Sequence, residues 1–201
     1  MLSLLALAGC PSGSEAAAGA TETVDIELVH QMPPASAGLD ELRWFATDPR
    51  TSIPRIDTAV LATFVAAATR NLGLVATLPT FAYHPYLMAR LIGSLDAVSN
   101  GRGARNVVTG AQPPAFQNFG MEMDHAVDRY AHATEYVELV KQIWNSWDPD
   151  SIVGKDGVFA DPAKVHNVEF QGDFIQHSGT ALISGPSPQG RPVIAYRVSK
   201  V

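Results

Sequence analysis

The chain has 201 residues, with 20 acidic and 14 basic side chains, 46 % hydrophobic content and one cysteine. Six acids (Glu15, Glu22, Asp25, Glu27, Asp40, Glu41) fall within residues 1–42, which hold no Lys or Arg, so 14 acids balance 14 bases in the rest and the net charge of −6 belongs to the first fifth. That balance argues against a nucleic-acid partner, the composition excludes disorder throughout, and a lone cysteine excludes an intrachain disulfide or a C-x-x-C redox or zinc site.

Residues 1–38 read as an acidic, linker-like leader, because the Gly, Ser, Ala and Pro between Cys10 and Ala20 cannot bury enough apolar area to offset their ordering entropy. Within the leader, Leu7-Ala8-Gly9-Cys10 resembles the lipobox of bacterial lipoproteins, yet no basic residue precedes Arg43, whereas a signal peptide begins with positive charge. The sequence therefore predicts a cytoplasmic protein, with a lipoprotein anchored through Cys10 as the alternative. No run of 18 apolar residues suggests a spanning helix, and a membrane is not an expected partner. Thr23 to His30 alternates apolar and polar residues like a half-buried strand.

A domain is expected over residues 39–201. Asp57 reads as the N-cap of a helix through TAVLATFVAAATRN, with Gly73 as its stop, and Leu74 to Leu78 as a short buried strand. His84 to Val98 carries Tyr86, Ala89, Ile92 and Leu95 at helical steps, and Asn100-Gly101 ends it. A strand is predicted over 105–110 and a long helix from Asp124 to Trp147, with Tyr130, Ala133, Val137, Val140, Trp144 and Trp147 as its apolar stripe. Residues 148–190 look like an excursion with one hairpin around Gly172, after which 192–196 resumes as a buried strand. Alternating strands and helices predict a parallel α/β sheet.

His125, Asp128 and His132 stand at i, i+3 and i+7, one helical face that could approach a metal, but a solvated polar face is the default and no metal is expected. His84-Pro85-Tyr86 lies where a strand gives way to a helix, so capping and ligand binding are both open. Gly101-Arg102-Gly103 precedes a strand and has Asn106 in place of a third Gly, so it is no dinucleotide loop. No P-loop, G-x-S-x-G elbow or H-E-x-x-H motif occurs. The polar groups left at strand ends are Thr77, Thr80, Asn106 and Thr109, which suit a polar cofactor better than acid/base hydrolysis.

From about Ile53 to Ile194 the chain resembles the flavin-dependent monooxygenases of the bacterial luciferase-like superfamily, in the branch of the nitrilotriacetate, dibenzothiophene-sulfone and long-chain alkane monooxygenases. The resemblance is carried by Gly73 to Thr77, His84-Pro85-Tyr86 with Ala89-Arg90, Ser94-Leu95-Asp96, Gly101-Arg102, Asn106-Val107-Val108-Thr109, Asn118-Phe119-Gly120, Arg129-Tyr130, Asp161-Pro162 with Lys164-Val165-His166, and Ser187 to Ile194. It implies a (β/α)8 barrel of which this chain holds about the first five βα units, the C-terminal strands being missing. It also implies an FMN-dependent two-component monooxygenase, or a fragment of one. Reduced FMN would come from a separate NAD(P)H-dependent flavin reductase, O2 and a small organic substrate would be consumed, and the protein would self-associate. The residues it implies for FMN are Thr77, Asn106, Tyr130, His125, Asp48 and Ser199. His125 stands one place before the family's His, here Ala126, and Ala111 stands where the family places an active-site His. A catalytically inactive, truncated flavin-binding or interaction module is one alternative, and a lipid-anchored small-ligand-binding protein is another.

Overall fold

The computed structural model describes residues 57–110, 112–123, 128–155 and 157–196. The strand expected over 23–30, the segment around Asp48 and the Cys10 lipobox lie outside them.

Helix α1, Thr58–Ala68, starts as expected on Asp57, whose carboxylate accepts from the amides of Ala59 and Val60 at 2.9 and 3.2 Å. It buries Ala59, Ala62, Val65 and Ala66 and stops three residues short of the predicted run, because Thr69 turns to extended backbone. Strand β1, Leu74–Pro79, and strand β2, Gly103–Val108, flank α2, Pro85–Val98. Pro85 occupies the first turn of α2, and the chain leaves that helix through Asn100 and Gly101 at φ of 56° and 81°, a left-handed exit that glycine adopts without strain.

A short helix α3, Pro113–Gln117, leads to the long helix α4, Arg129–Trp144. The predicted start at Asp124 is too early: Asp128 is extended and caps the helix, accepting from Tyr130 and Ala131 at 2.9 and 3.1 Å. The predicted end at Trp147 is too late, since that residue pairs with Val165 in an isolated bridge. The apolar stripe is correspondingly rotated. Ala133, Tyr136, Leu139, Val140, Ile143 and Trp144 are buried, whereas Tyr130 is 70 % exposed.

The excursion holds two hairpins instead of one. Strands β3 (Ile152–Lys155) and β4 (Val158–Ala160) form the unforeseen hairpin, and β5 (Val168–Gln171) with β6 (Gln176–Gly179) forms the one expected around Gly172. Strand β7, Val193–Tyr196, then joins the main sheet, whose order is β1-β2-β7 with all neighbours parallel. Three of the five expected barrel strands are thus described, as a partial α/β sheet that does not close among the described residues.

Strand alternation divides the sheet into two faces. Leu74, Ala76 and Leu78 enter a core shared with α1, α2 and α4 that includes Met88, Ile92, Tyr136 and Trp144. On the other face the register aligns Thr77 with Asn106 and Asn106 with Ala195. The N-terminal edge of the strands is clamped by polar side chains. Arg102 donates to the carbonyls of Ala66, Thr69, Leu72 and Ser99 and to the Thr69 hydroxyl, at 2.7 to 3.1 Å. Asp96, fully buried, accepts from the Gly103 amide, the Ser187 hydroxyl and the Gln189 amide group. Ser94-Leu95-Asp96, Gly101-Arg102 and Ser187 to Gln189 therefore work as scaffold, at the edge of a barrel-type sheet where stability is set.

Candidate functional site

The opposite edge gathers the polar side chains singled out from the sequence. Thr77 and Asn106, singled out from the sequence, meet across β1 and β2, with the Asn106 side-chain amide donating to the Thr77 hydroxyl at 3.2 Å. The Thr58 hydroxyl donates to the Thr77 carbonyl at 2.8 Å and fastens α1 to the same strand. Tyr130 sits in the first turn of α4 with its ring exposed. Its neighbour Arg129 donates to the Gly110 carbonyl at 2.6 Å and so ties α4 to the loop that follows β2. Asp48, His125 and Ser199 fall outside the described residues.

Just beyond the C-terminal ends of β1 and β2 lies a cavity of about 550 Å³, within the range typical of small-molecule and cofactor sites. Thr80 and Thr109, both noted in the sequence, line it together with Arg129, His84 and His132. Thr77 and Asn106 are three residues below this rim on their strands and are not part of the lining. The apolar wall comes from Phe81, Phe116, Phe174 and Met121. Phe81 and Phe116 stack with centroids 3.9 Å apart.

Two tyrosines fix the cavity's inner side. Tyr136 donates to the Tyr83 carbonyl at 2.7 Å, and Tyr83 donates to the Asp57 carboxylate at 2.8 Å. Burial pushes both hydroxyls up to about 12; the bond to Asp57 and its negative charge add to the effect at Tyr83, whereas Arg105 opposes it at Tyr136. Both remain neutral donors across the biological pH range. Arg105 is fully buried with its guanidinium 4.8 Å from the Tyr136 ring centroid, and burial lowers its pKa. Its Nη2 donates to the Leu78 carbonyl at a long 3.4 Å, and among the described residues its Nε and Nη1 find no hydrogen-bond partner.

The histidines take separate roles. His84 caps α2, its Nδ1 accepting from the Tyr86 amide at 3.3 Å, which is the capping role the sequence left open. His132 and Phe174 stand in a T-shaped arrangement with ring centroids 5.9 Å apart. Of the three residues expected on one helical face, Asp128 is the N-cap of α4 and His132 lies in its first turns, while His125 is outside the described residues. Among the described residues no group of three His, Cys, Asp or Glu side chains could hold a metal ion. Sequence reasoning missed Tyr83, Tyr136, Arg105 and Phe174. Arg129 was visible only as the partner of Tyr130.

Parallel strands carrying a cavity beyond their C-terminal ends define the layout of (β/α)8-barrel enzymes. The family profile of luciferase-like monooxygenases matches residues 35–196, and the chain belongs to that family. It is 45 % identical over 139 residues to the dibenzothiophene-sulfone monooxygenase of Rhodococcus erythropolis, covering 68 % of this chain and 30 % of that one. Its fold is similar to a crystal structure of long-chain alkane monooxygenase, with a TM-score of 0.68 and 34 % identity over 74 % of this chain and 35 % of the other. It is equally similar to riboflavin lyase with modified FMN and riboflavin, at a TM-score of 0.68 and 39 % identity over 73 % of this chain and 33 % of the other. The chain thus spans about a third of the length of the relatives it matches. Among the described residues, no helix is long and apolar enough to cross a membrane.

Proposed function

We propose that the protein is an FMN-dependent, two-component monooxygenase of the cytoplasm, or the flavin-binding portion of one. The observation that carries this reading is the Thr77–Asn106 pair on the sheet face, below a cavity with an aromatic wall at the strands' C-terminal edge. The donor set suits a flavin. Thr77 and Asn106 offer neutral hydrogen-bonding groups to the polar edge of the ring. Phe81, Phe116 and Phe174 supply apolar surface that excludes water, and Arg129 with the exposed Tyr130 hydroxyl would hold the phosphate. Asp48, His125 and Ser199 complete the proposed flavin contacts. Bound reduced FMN supplies the electrons with which one atom of O2 enters a small organic substrate. A separate flavin reductase would provide it, and self-association would cover the sheet edges.

A second reading, flavin binding without turnover, is favoured by Ala111 at the position of the family's active-site His. Titration of the full chain with oxidised and with photoreduced FMN, followed by flavin fluorescence, tests both. Saturation in the micromolar range supports a flavin protein. Absence of binding up to about 1 mM, where the binding free energy is only about 4 kcal/mol, removes both readings. Oxygen uptake with a flavin reductase and NADH then separates an oxygenase from a binder.

A further inference from the structure

Glu135 lies in the middle of α4. Its carboxylate reaches across to the β5–β6 turn and accepts three consecutive backbone amides, those of Asp173, Phe174 and Ile175, at 2.8, 2.9 and 3.1 Å. Three successive N–H groups converging on one acceptor make a turn-type anion nest, here filled by a carboxylate from another element. The fit is close enough to specify the neighbouring residue: a Cβ at Gly172 would collide with the Glu135 Oε2 and come within 2.7 Å of its Cδ. The residues that follow this turn, Phe174, Ile175 and Gln176, form one wall of the cavity, and Phe174 presents its face or edge to His132 at 5.9 Å with the rings at 82°.

We propose that Glu135 is a positioning residue: its carboxylate latches the β5–β6 turn onto α4 and so sets the wall of the ligand cavity formed by Phe174, Ile175 and Gln176. The part of this proposal that concerns flavin rests on the function proposed above, whereas the latch itself does not. The hairpin has independent apolar anchors in Val168 and Ile175, both buried in the core. Removing the carboxylate therefore frees the turn without unfolding the domain. Gly172→Ala makes the complementary perturbation. It leaves Glu135 in place and displaces the carboxylate from its seat, since the nearest atoms in the way are the far end of that flexible side chain, with the edge of the Phe170 ring beside it at 2.9 Å.

The test uses the full chain as wild type, Glu135→Ala and Gly172→Ala. Hydrogen exchange at the amides of 173–175 is expected to speed up by about tenfold or more in both variants, while the amides of α2 keep their protection. The His132 imidazole resonances, which the nearby Phe174 ring should shift in the wild type, are expected to move in both variants. Loss of a core side chain elsewhere would not produce that pair of changes. With FMN as the probe, affinity should fall by about tenfold. Unchanged exchange at 173–175, or His132 resonances that stay in place, would overturn the latch. Faster exchange with unaltered FMN affinity would overturn its role in the cavity. If the wild type binds no FMN, the function proposed above fails, and exchange with the His132 signature still decides the latch.

Discussion

Arg102 offers the most quantitative check on how the sheet is held. Its guanidinium makes five hydrogen bonds, four of them to carbonyls of the α1 C-terminus, the α1–β1 connection and the end of α2. The carbonyls of Ala66 and Thr69 lie at the helix end, where no later amide of the helix can reach them. Net contributions of about 0.5–1.5 kcal/mol per bond bracket the loss in Arg102→Met at about 2.5–7.5 kcal/mol. The site is half-buried, so water takes over some of these acceptors, and we expect about 3 kcal/mol, a large share of a typical domain stability of about 5–15 kcal/mol. Urea unfolding should register it as a midpoint lowered by roughly 1.5 M with an unchanged slope. Arg102→Lys should recover little, because a single ammonium cannot fork toward five acceptors. A loss below about 1 kcal/mol for the methionine variant would refute the clamp and the assignment of this edge to stability.

Asp57→Ala removes both the α1 cap and the acceptor of the Tyr83 hydroxyl, so a loss of about 1 kcal/mol is expected, and the Tyr83 pKa should fall from about 12 while staying above 10 because burial is its larger cause; tyrosinate absorbance during an alkaline titration reads this. Asn106→Ala should weaken FMN binding by about tenfold, or about 1.4 kcal/mol, with the unfolding midpoint nearly unchanged, as fluorescence titration and urea melts would report. The three backbone amides, with His132, hold the Glu135 carboxyl below its ordinary pKa of 4.5 against the opposing effect of burial. Since the folded value is the lower one, its contribution is full above 4.5 and is lost as pH falls further. His132 on the same helix is the charged group acting on this carboxylate, and hydrogen exchange at 173–175 measured down an acid pH series should show the loss in wild type and not in Glu135→Ala.

The regular elements were legible where the local signal was strong. Asp57 and Gly101 marked helix ends by chemistry that acts within a few residues, and Leu74 to Leu78 was apolar except at Thr77, the other four residues being buried. The start of α4 was misplaced because residues 124–128 continue the polar and apolar rhythm of the helix, while Asp128 prefers to bond the amides ahead of it. The β3–β4 hairpin escaped notice because its strands bury almost nothing: Ile152, Val153, Val158 and Phe159 are all exposed. Among the site residues, Thr77 and Asn106 were found by resemblance and meet as neighbours on paired strands. Glu135 and Arg105 were invisible for a common reason: each acts on groups about 27 to 40 residues away in sequence, and no spacing rule reaches that far. Asp96, Arg102 and Gln189 were recognised as family marks, yet their scaffold role needed the coordinates.

The central claim is that the C-terminal edge of the sheet is the flavin site and the N-terminal edge is scaffold. Amide chemical-shift mapping of the full chain during an FMN titration tests this most directly. We expect the largest saturable changes at 77–84, 106–110 and 129–136, with Asp96 to Gly103 unmoved. Changes centred on Asp96 to Gly103, or none up to about 1 mM FMN, would contradict it.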